Sequence, residues 1–329
     1  MPSSLSRFRT PVHQRGAAGI QPVRYPSSKK KIARKILVTG AAGVIGKYYA
    51  RHAPPHHRLK LMVHSWDDRA EALKKYGTVV QAELSSLRQL TDICDGVDTV
   101  IHLGGDPSPD ATWSSLLPAN IVGTYHLFVA AKTAGVRRVI YASSIHAVSG
   151  YPLDVQVKTS EPVNPGDLYG VSKCFGEALG RYMAEQEGLS VIALRIGAFQ
   201  PISVAQASKN SSLLDAFVSE RDLHQLIVRC VDDDHLKFAI FHGLSNNRFK
   251  RLDITDAREA VGYAPQDDLA AENPQLKRTA LAKNPIAHNR AEHPSGLREE
   301  LELSRSHAMK TKKPRSGLGK EKRRSKKTH

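Results

Sequence analysis

Short apolar runs recur along the chain at Ile36–Val38, Leu59–Val63, Thr78–Val80, Thr99–Leu103, Arg138–Ala142, Val191–Ile196 and Lys237–Phe241. Between them lie stretches with helical spacing. In Asn120–Ala134 the residues Ile121, Tyr125, Phe128 and Val129 recur at the three- and four-residue steps of a sheet-covering helix. This alternation predicts βαβ units and an α/β fold built on a doubly wound parallel sheet. No internal repeat at solenoid periods interrupts it. The expected organisation is one domain over residues 33–268, a basic extension over 1–32 and a basic tail over 269–329.

The first run leads into Thr39–Gly46, TGAAGVIG, which should open a helix. Strand, glycine turn and helix in that order mark a nucleotide site of Rossmann type. Gly40 permits the tight turn, Gly43 lets the backbone approach a pyrophosphate, and Gly46 lets the helix pack on the strand. Val44 and Ile45 lie in the same first turn. The pyrophosphate is expected at the helix N-terminus, where unpaired N–H groups and the helix dipole favour negative charge. The bland alternative is a loop that only turns the chain.

Tyr169 and Lys173 fall four residues apart, one above the other on a helix face. A phenol with a pKa of about 10 is a poor base. A neighbouring ammonium and the positive ring of an oxidised nicotinamide are expected to pull Tyr169 toward working pH, with Ser144 holding the reacting oxygen. Taken singly, Tyr169 reads as a packed aromatic, Lys173 as a surface charge and Ser144 as a strand-end hydroxyl. Their convergence with the glycine motif carries the catalytic reading.

HLGG at His102–Gly105, NIVGTYHL at Asn120–Leu127, ASSIH at Ala142–His146, LYGVSKCFGE at Leu168–Glu177 and LRIG at Leu194–Gly197 complete the pattern. Over Ala33–Asp268 the chain resembles the extended short-chain dehydrogenase/reductase superfamily, the NAD-dependent epimerase/dehydratase family, and within it uronate dehydrogenases. The resemblance implies Ser144, Tyr169 and Lys173 as the catalytic triad, with Asn120 supporting the lysine through the helix it starts. It also implies Leu103, Gly104 and Gly105 on the nicotinamide side, His146 as a sugar contact and Ser108 as another.

The same resemblance exposes departures. Ile145 stands where those relatives have Asn, Ala198 where they have Ser, and Ser212 near the place of a carboxylate-gripping arginine. Lys209, in the longer segment Pro201–Ser219, is the nearest cation. A lysine cannot reproduce the paired hydrogen bonds of a guanidinium. The substrate is therefore expected to be less polar than a hexuronate. For the cofactor, Asp67 near the second strand tip favours NAD, whereas His64 and Arg69 would accommodate the 2′-phosphate of NADP. Glu83, followed by Leu84, stands where relatives carry an acid near the adenine. NAD is the expected cofactor.

Charge adds a separate message. Of the formal +16, residues 1–35 contribute nine basic groups and no acid, and residues 310–329 ten basic groups against Glu321. The part between is thus slightly acidic, an ordinary enzyme surface. Both ends lack the apolar content to fold and are expected to be disordered. Lys320–Lys327 suits a nuclear or nucleic-acid patch, without the aromatics of a stacking mode. The acid-free N-terminus is compatible with a mitochondrial transit peptide, although its prolines break an amphipathic helix.

Three scattered cysteines, Cys94, Cys174 and Cys230, argue for a reducing compartment, taken as the cytoplasm. His56 and His57 read as loop histidines, and no metal is expected, because no second ligand group stands at zinc spacing. No run is long enough to span a membrane. Three functions follow: a dehydrogenase acting on a hydroxyl of a sugar or sugar acid, possible as a homo-oligomer; a nucleotide-sugar epimerase or dehydratase using NAD transiently; and a non-catalytic regulator contacting nucleic acid through its tails. The roughly seventy residues after Gly197 leave little room for a nucleotide-sugar domain, and an intact triad is superfluous in a regulator.

Overall fold

The structure, a computed structural model, describes residues 32–152, 154–207, 214–273 and 276. Its strands are β1 (Arg34–Thr39), β2 (His57–Val63), β3 (Thr78–Gln81), β4 (Thr99–His102), β5 (Arg138–Ser144), β6 (Ser190–Ile196), β7 (Ala198–Gln200), β8 (Phe217–Ser219) and β9 (Phe238–Gly243). Seven form one parallel sheet in the order β3-β2-β1-β4-β5-β6-β9. All seven apolar runs are strands of this sheet. The chain winds outward from β1 to β3, then returns to β4 on the other side of β1. That reversal opens a crevice at the carboxyl ends of β1 and β4, where ligands of such sheets bind.

Helices cover both faces. Val44–His52, Glu220–Asp232 and Thr255–Val261 bury Tyr49, Leu223, Leu226, Ile227 and Val261 against one face. Leu87–Cys94, Gly123–Thr133 and Leu168–Glu185 bury Leu90, Leu127, Phe128 and Met183 against the other. The expected single helix Asn120–Ala134 is in fact two segments. A π-helical stretch, Leu117–Val122, precedes the α-helix Gly123–Thr133. Pro118 lacks an N–H at its start, and π-helical turns recur at functional sites. Asn120 lies inside this stretch, so the α-helix begins after it.

Beyond β6 the chain leaves the main sheet. β7 and β8 pair as a separate two-stranded sheet, invisible in the apolar pattern because each has three residues. Leu269, Ala270 and Leu276 bury against Ala205, Leu214 and Phe217, and Asn273 Nδ2 donates to Ala205 O at 3.1 Å. Packing thus continues past Asp268, the expected domain end. The extension over 1–31 and the tail from 277 lie outside the described residues.

Candidate active site

A cleft of about 740 Å³ runs along the carboxyl ends of β1, β2 and β4, lined by Gly40, Gly43, Val44, Ile45, Gly46, His64, Glu83, Leu84, Leu103, Gly104 and Gly105 among others. Gly40 has φ +65°, a left-handed conformation that favours glycine. A Cβ on Gly46 would lie 2.6 Å from Gly40 O and 2.7 Å from Ala41 Cα, so only glycine lets helix and turn meet. The helix Val44–His52 has no side-chain cap and no acid in its first turn. Its leading N–H groups therefore suit an anion, and the residues fit the pyrophosphate of NAD.

The adenosine end departs from expectation. Asp67 does not line the cleft: it caps the short helix Asp68–Glu71 through Arg69 N and Ala70 N, both at 3.0 Å, and pairs with Arg69. An Asp at a helix start satisfies orphan N–H groups, and that local demand holds it there. His64 Nδ1 instead lies 2.8 Å from Glu83 Oε2. Both basic residues that would have met a 2′-phosphate, His64 and Arg69, are thus paired with carboxylates.

A second cavity of about 460 Å³ adjoins the first and shares Ile45, Leu103, Gly105, Asp106, Pro107 and Phe199 with it. Ser144, Tyr169 and Lys173 line it together, as the sequence anticipated. Ser144 ends β5, and the helix Leu168–Glu185 carries the other two. Lys173 Nζ donates to Ala142 O at 2.9 Å and lies 5.3 Å from the Tyr169 ring centroid. Burial pushes the Tyr169 phenol up to about 12, partly offset by its hydrogen bond with Ser144. Burial likewise pushes Lys173 down to about 8, with Asp106 opposing. The lowered phenol expected from the lysine is therefore not a property of the protein alone. Desolvation outweighs the Ser144 hydrogen bond here, Asp167 and Asp106 add to the rise, and the nicotinamide's positive charge is the remaining part of that expectation.

Several residues that hold this arrangement were not singled out in the sequence. Asp167 caps the tyrosine helix through Gly170 N at 2.7 Å and also takes His146 Nδ1 at 2.5 Å, joining the Ser144 turn to the Tyr169 helix. Glu177 accepts Ser143 Oγ at 2.6 Å and both Arg195 Nε and Nη2 at 2.9 Å, in a buried network tying β5, β6 and that helix. An N-cap aspartate at Asp167 was findable from its place before the helix. The Glu177–Arg195 pair was not, because its members are ordinary charges until the fold buries them.

Asn120 accepts Asp106 N at 2.7 Å, donates to Asp106 O at 3.0 Å and reaches Ser172 Oγ at 3.1 Å. It thus steadies the loop after β4 and the residue beside Lys173, rather than acting through a helix it starts. Ile145, His146 and Ala198 line this second cavity. Ser108 does not: Pro107 and Pro109 take the wall, while Ser108 N–H donates to Asp106 Oδ1 at 3.0 Å and its Oγ accepts from Asp110 N–H. Asp106 and Gln200, unremarked in the sequence, do line it. Lys209 and Ser212 lie outside the described residues.

Residues 36–261 match the model of the NAD dependent epimerase/dehydratase family. An NAD-dependent glucose-6-phosphate dehydrogenase of Haloferax volcanii is 32% identical over 249 residues, covering 71% of this chain and 94% of that protein. An L-arabinose 1-dehydrogenase (NAD(P)(+)) of the same organism is 31% identical over 258 residues, covering 72% and 98%. Among solved structures, a mutant uronate dehydrogenase from Agrobacterium tumefaciens complexed with NAD superposes with a TM-score of 0.67 at 28% identity, covering 77% of this chain and 98% of that one. Glycine turn, Ser-Tyr-Lys cluster and matched length agree: the chain belongs to the NAD dependent epimerase/dehydratase family.

Proposed function

We propose that the protein is an NAD-dependent dehydrogenase that oxidises the anomeric hydroxyl of an aldose to the lactone, with a neutral sugar preferred over a hexuronate. The observation that carries this reading is the Tyr169 hydroxyl, hydrogen-bonded to Ser144 beside Lys173 in a sugar-sized cavity that opens on the NAD cleft. Ser144 orients the substrate oxygen, and Tyr169 takes its proton as the phenolate, the form favoured by Lys173 and by the positive ring of NAD when bound. Lys173 holds the ribose side and keeps positive charge near the phenol. NAD, when bound, supplies the acceptor for the hydride that leaves the same carbon, so a C–H and an O–H bond are exchanged for a carbonyl. The relative named L-arabinose 1-dehydrogenase supports position 1 of the sugar as the site of attack.

The preference for a neutral sugar rests on the walls. Among the described residues lining the cavity, Lys173 is the one lysine or arginine, and Ala142 O engages it. Asp106 places a carboxylate in the same wall. A substrate carboxylate without a cationic partner in such a pocket costs several kcal/mol. The test is a scan of aldoses and hexuronates with NAD and NADP, read by reduced-cofactor absorbance. Galactose should exceed galacturonate at least tenfold in kcat/KM. Efficient galacturonate oxidation that survives Lys209→Ala would overturn the preference, and no reduction of either cofactor by any sugar would overturn the activity.

A further inference from the structure

Far from both cavities, at the amino-terminal edge of the sheet, three metal-ligating side chains meet. His57 is not a loop residue, as its sequence context suggested; it is the first residue of β2, and its side chain is wholly buried. His56 precedes it, and Asp232 comes from the last turn of the helix Glu220–Asp232. His56 Nε2 lies 3.0 and 3.1 Å from the Asp232 oxygens, and His57 Nε2 2.9 Å from Oδ1. All three ligand atoms fall within 4.8 Å of one another. No zinc spacing was visible in the sequence because the third member stands 175 residues away.

We infer that His56, His57 and Asp232 form a structural site for a divalent transition ion of the zinc type, with water completing the coordination. Ligand chemistry fits, since two imidazoles and a carboxylate are a recurring zinc donor set. So does spacing: tetrahedral ligands at 2.0–2.1 Å from zinc sit roughly 3.3 Å apart, a few tenths more than the two His–Asp232 separations. The outer shell is also built. Tyr49 Oη lies 2.8 Å from His57 Nδ1, which fixes the ring and turns Nε2 toward Asp232, as the outer partners of zinc histidines do.

The backbone is held independently of any ion. His57 N–H donates to Pro54 O and His56 O accepts from Arg34 N–H, each at 2.9 Å. A bound ion would pin the entry of β2 to the end of the helix that covers it.

The experiment uses the full chain, treated with chelator and then equilibrated with Zn2+ by dialysis. His56→Gln removes one ligand at a half-buried position, and Asp232→Asn removes another. Wild type should bind about one equivalent more Zn2+ than either variant, with His288, His293, His307 and His329 of the tail contributing equally to all three. Zinc should raise the melting temperature of wild type alone. NAD-dependent turnover of His56→Gln should stay within twofold of wild type, which separates this site from the catalytic reading. Equal zinc content in wild type and in a folded variant, or no zinc-dependent rise in wild type, overturns the site and leaves a hydrogen-bonded cluster only.

Discussion

The two halves of the active site are built by different means. The NAD side is largely backbone: Gly40, Gly43 and Gly46 in eight consecutive residues shape a turn and present N–H groups. The second cavity is lined by side chains gathered from afar, Asp106 after β4, Ser144 at the end of β5 and His146 after it, Tyr169 on its helix, and Ala198 and Gln200 on β7. Local backbone geometry tolerates little change. Walls assembled from separate loops can change partners one at a time, so one catalytic core can serve sugars of different charge.

Tyr169→Phe should separate the halves most sharply. The ring and its packing remain, the proton acceptor is lost, and turnover should fall by roughly a hundred- to ten-thousand-fold while the Kd for NAD moves by less than threefold. Stopped-flow turnover and NADH fluorescence titration read the two quantities, and turnover within a few-fold of wild type would remove Tyr169 from its role.

Gly46→Ala should do the reverse. Its Cβ would press on Gly40 O and the Ala41 backbone, and overpacking of about 1–3 kcal/mol corresponds to a roughly five- to 150-fold weaker Kd for NAD. Turnover at saturating NAD should change little, because Ser144 and Tyr169 are untouched. Unchanged NAD affinity would show that the turn can yield.

Lys173 belongs to both halves, and its effect is read in stability rather than turnover. Its folded-state pKa of about 8 lies below the ordinary 10.5, so between those values the unfolded chain binds the extra proton. Stability of the cofactor-free protein should therefore rise as pH climbs from about 8 to 10.5, the cost of the buried ammonium being fully present below 8. Urea midpoints of wild type and Lys173→Met, compared at pH 7.5 and 10, measure that gain. Parallel curves would mean that the lysine stays charged throughout.

What could be read from the residues divides along the same line. The seven strands, the glycine turn and the Ser144–Tyr169–Lys173 cluster were legible, since apolar runs, glycine spacing and a one-turn step on a helix are local patterns that need no knowledge of neighbours. The split of Asn120–Ala134 was not, because one proline and one buried asparagine re-pitched a helix that periodicity drew as continuous. Asp67 was misplaced for a related reason: a capping demand two residues away competes with a ligand, and a linear reading cannot weigh the two.

The sequence by itself thus determined the parallel sheet and the glycine turn and pointed to the Ser144, Tyr169 and Lys173 cluster, all of which rest on near neighbours or on repeated patterning. Tertiary structure alone decided that Glu177 meets Arg195, that Asp106 enters the wall of the second cavity, that Tyr169 is desolvated upward rather than activated by the protein alone, and that Asp232 reaches His56 and His57. The physical reason is common to all four. Charge, burial and ligation depend on distance in space, and each of these partnerships is set by how helices seat on the sheet rather than by spacing along the chain.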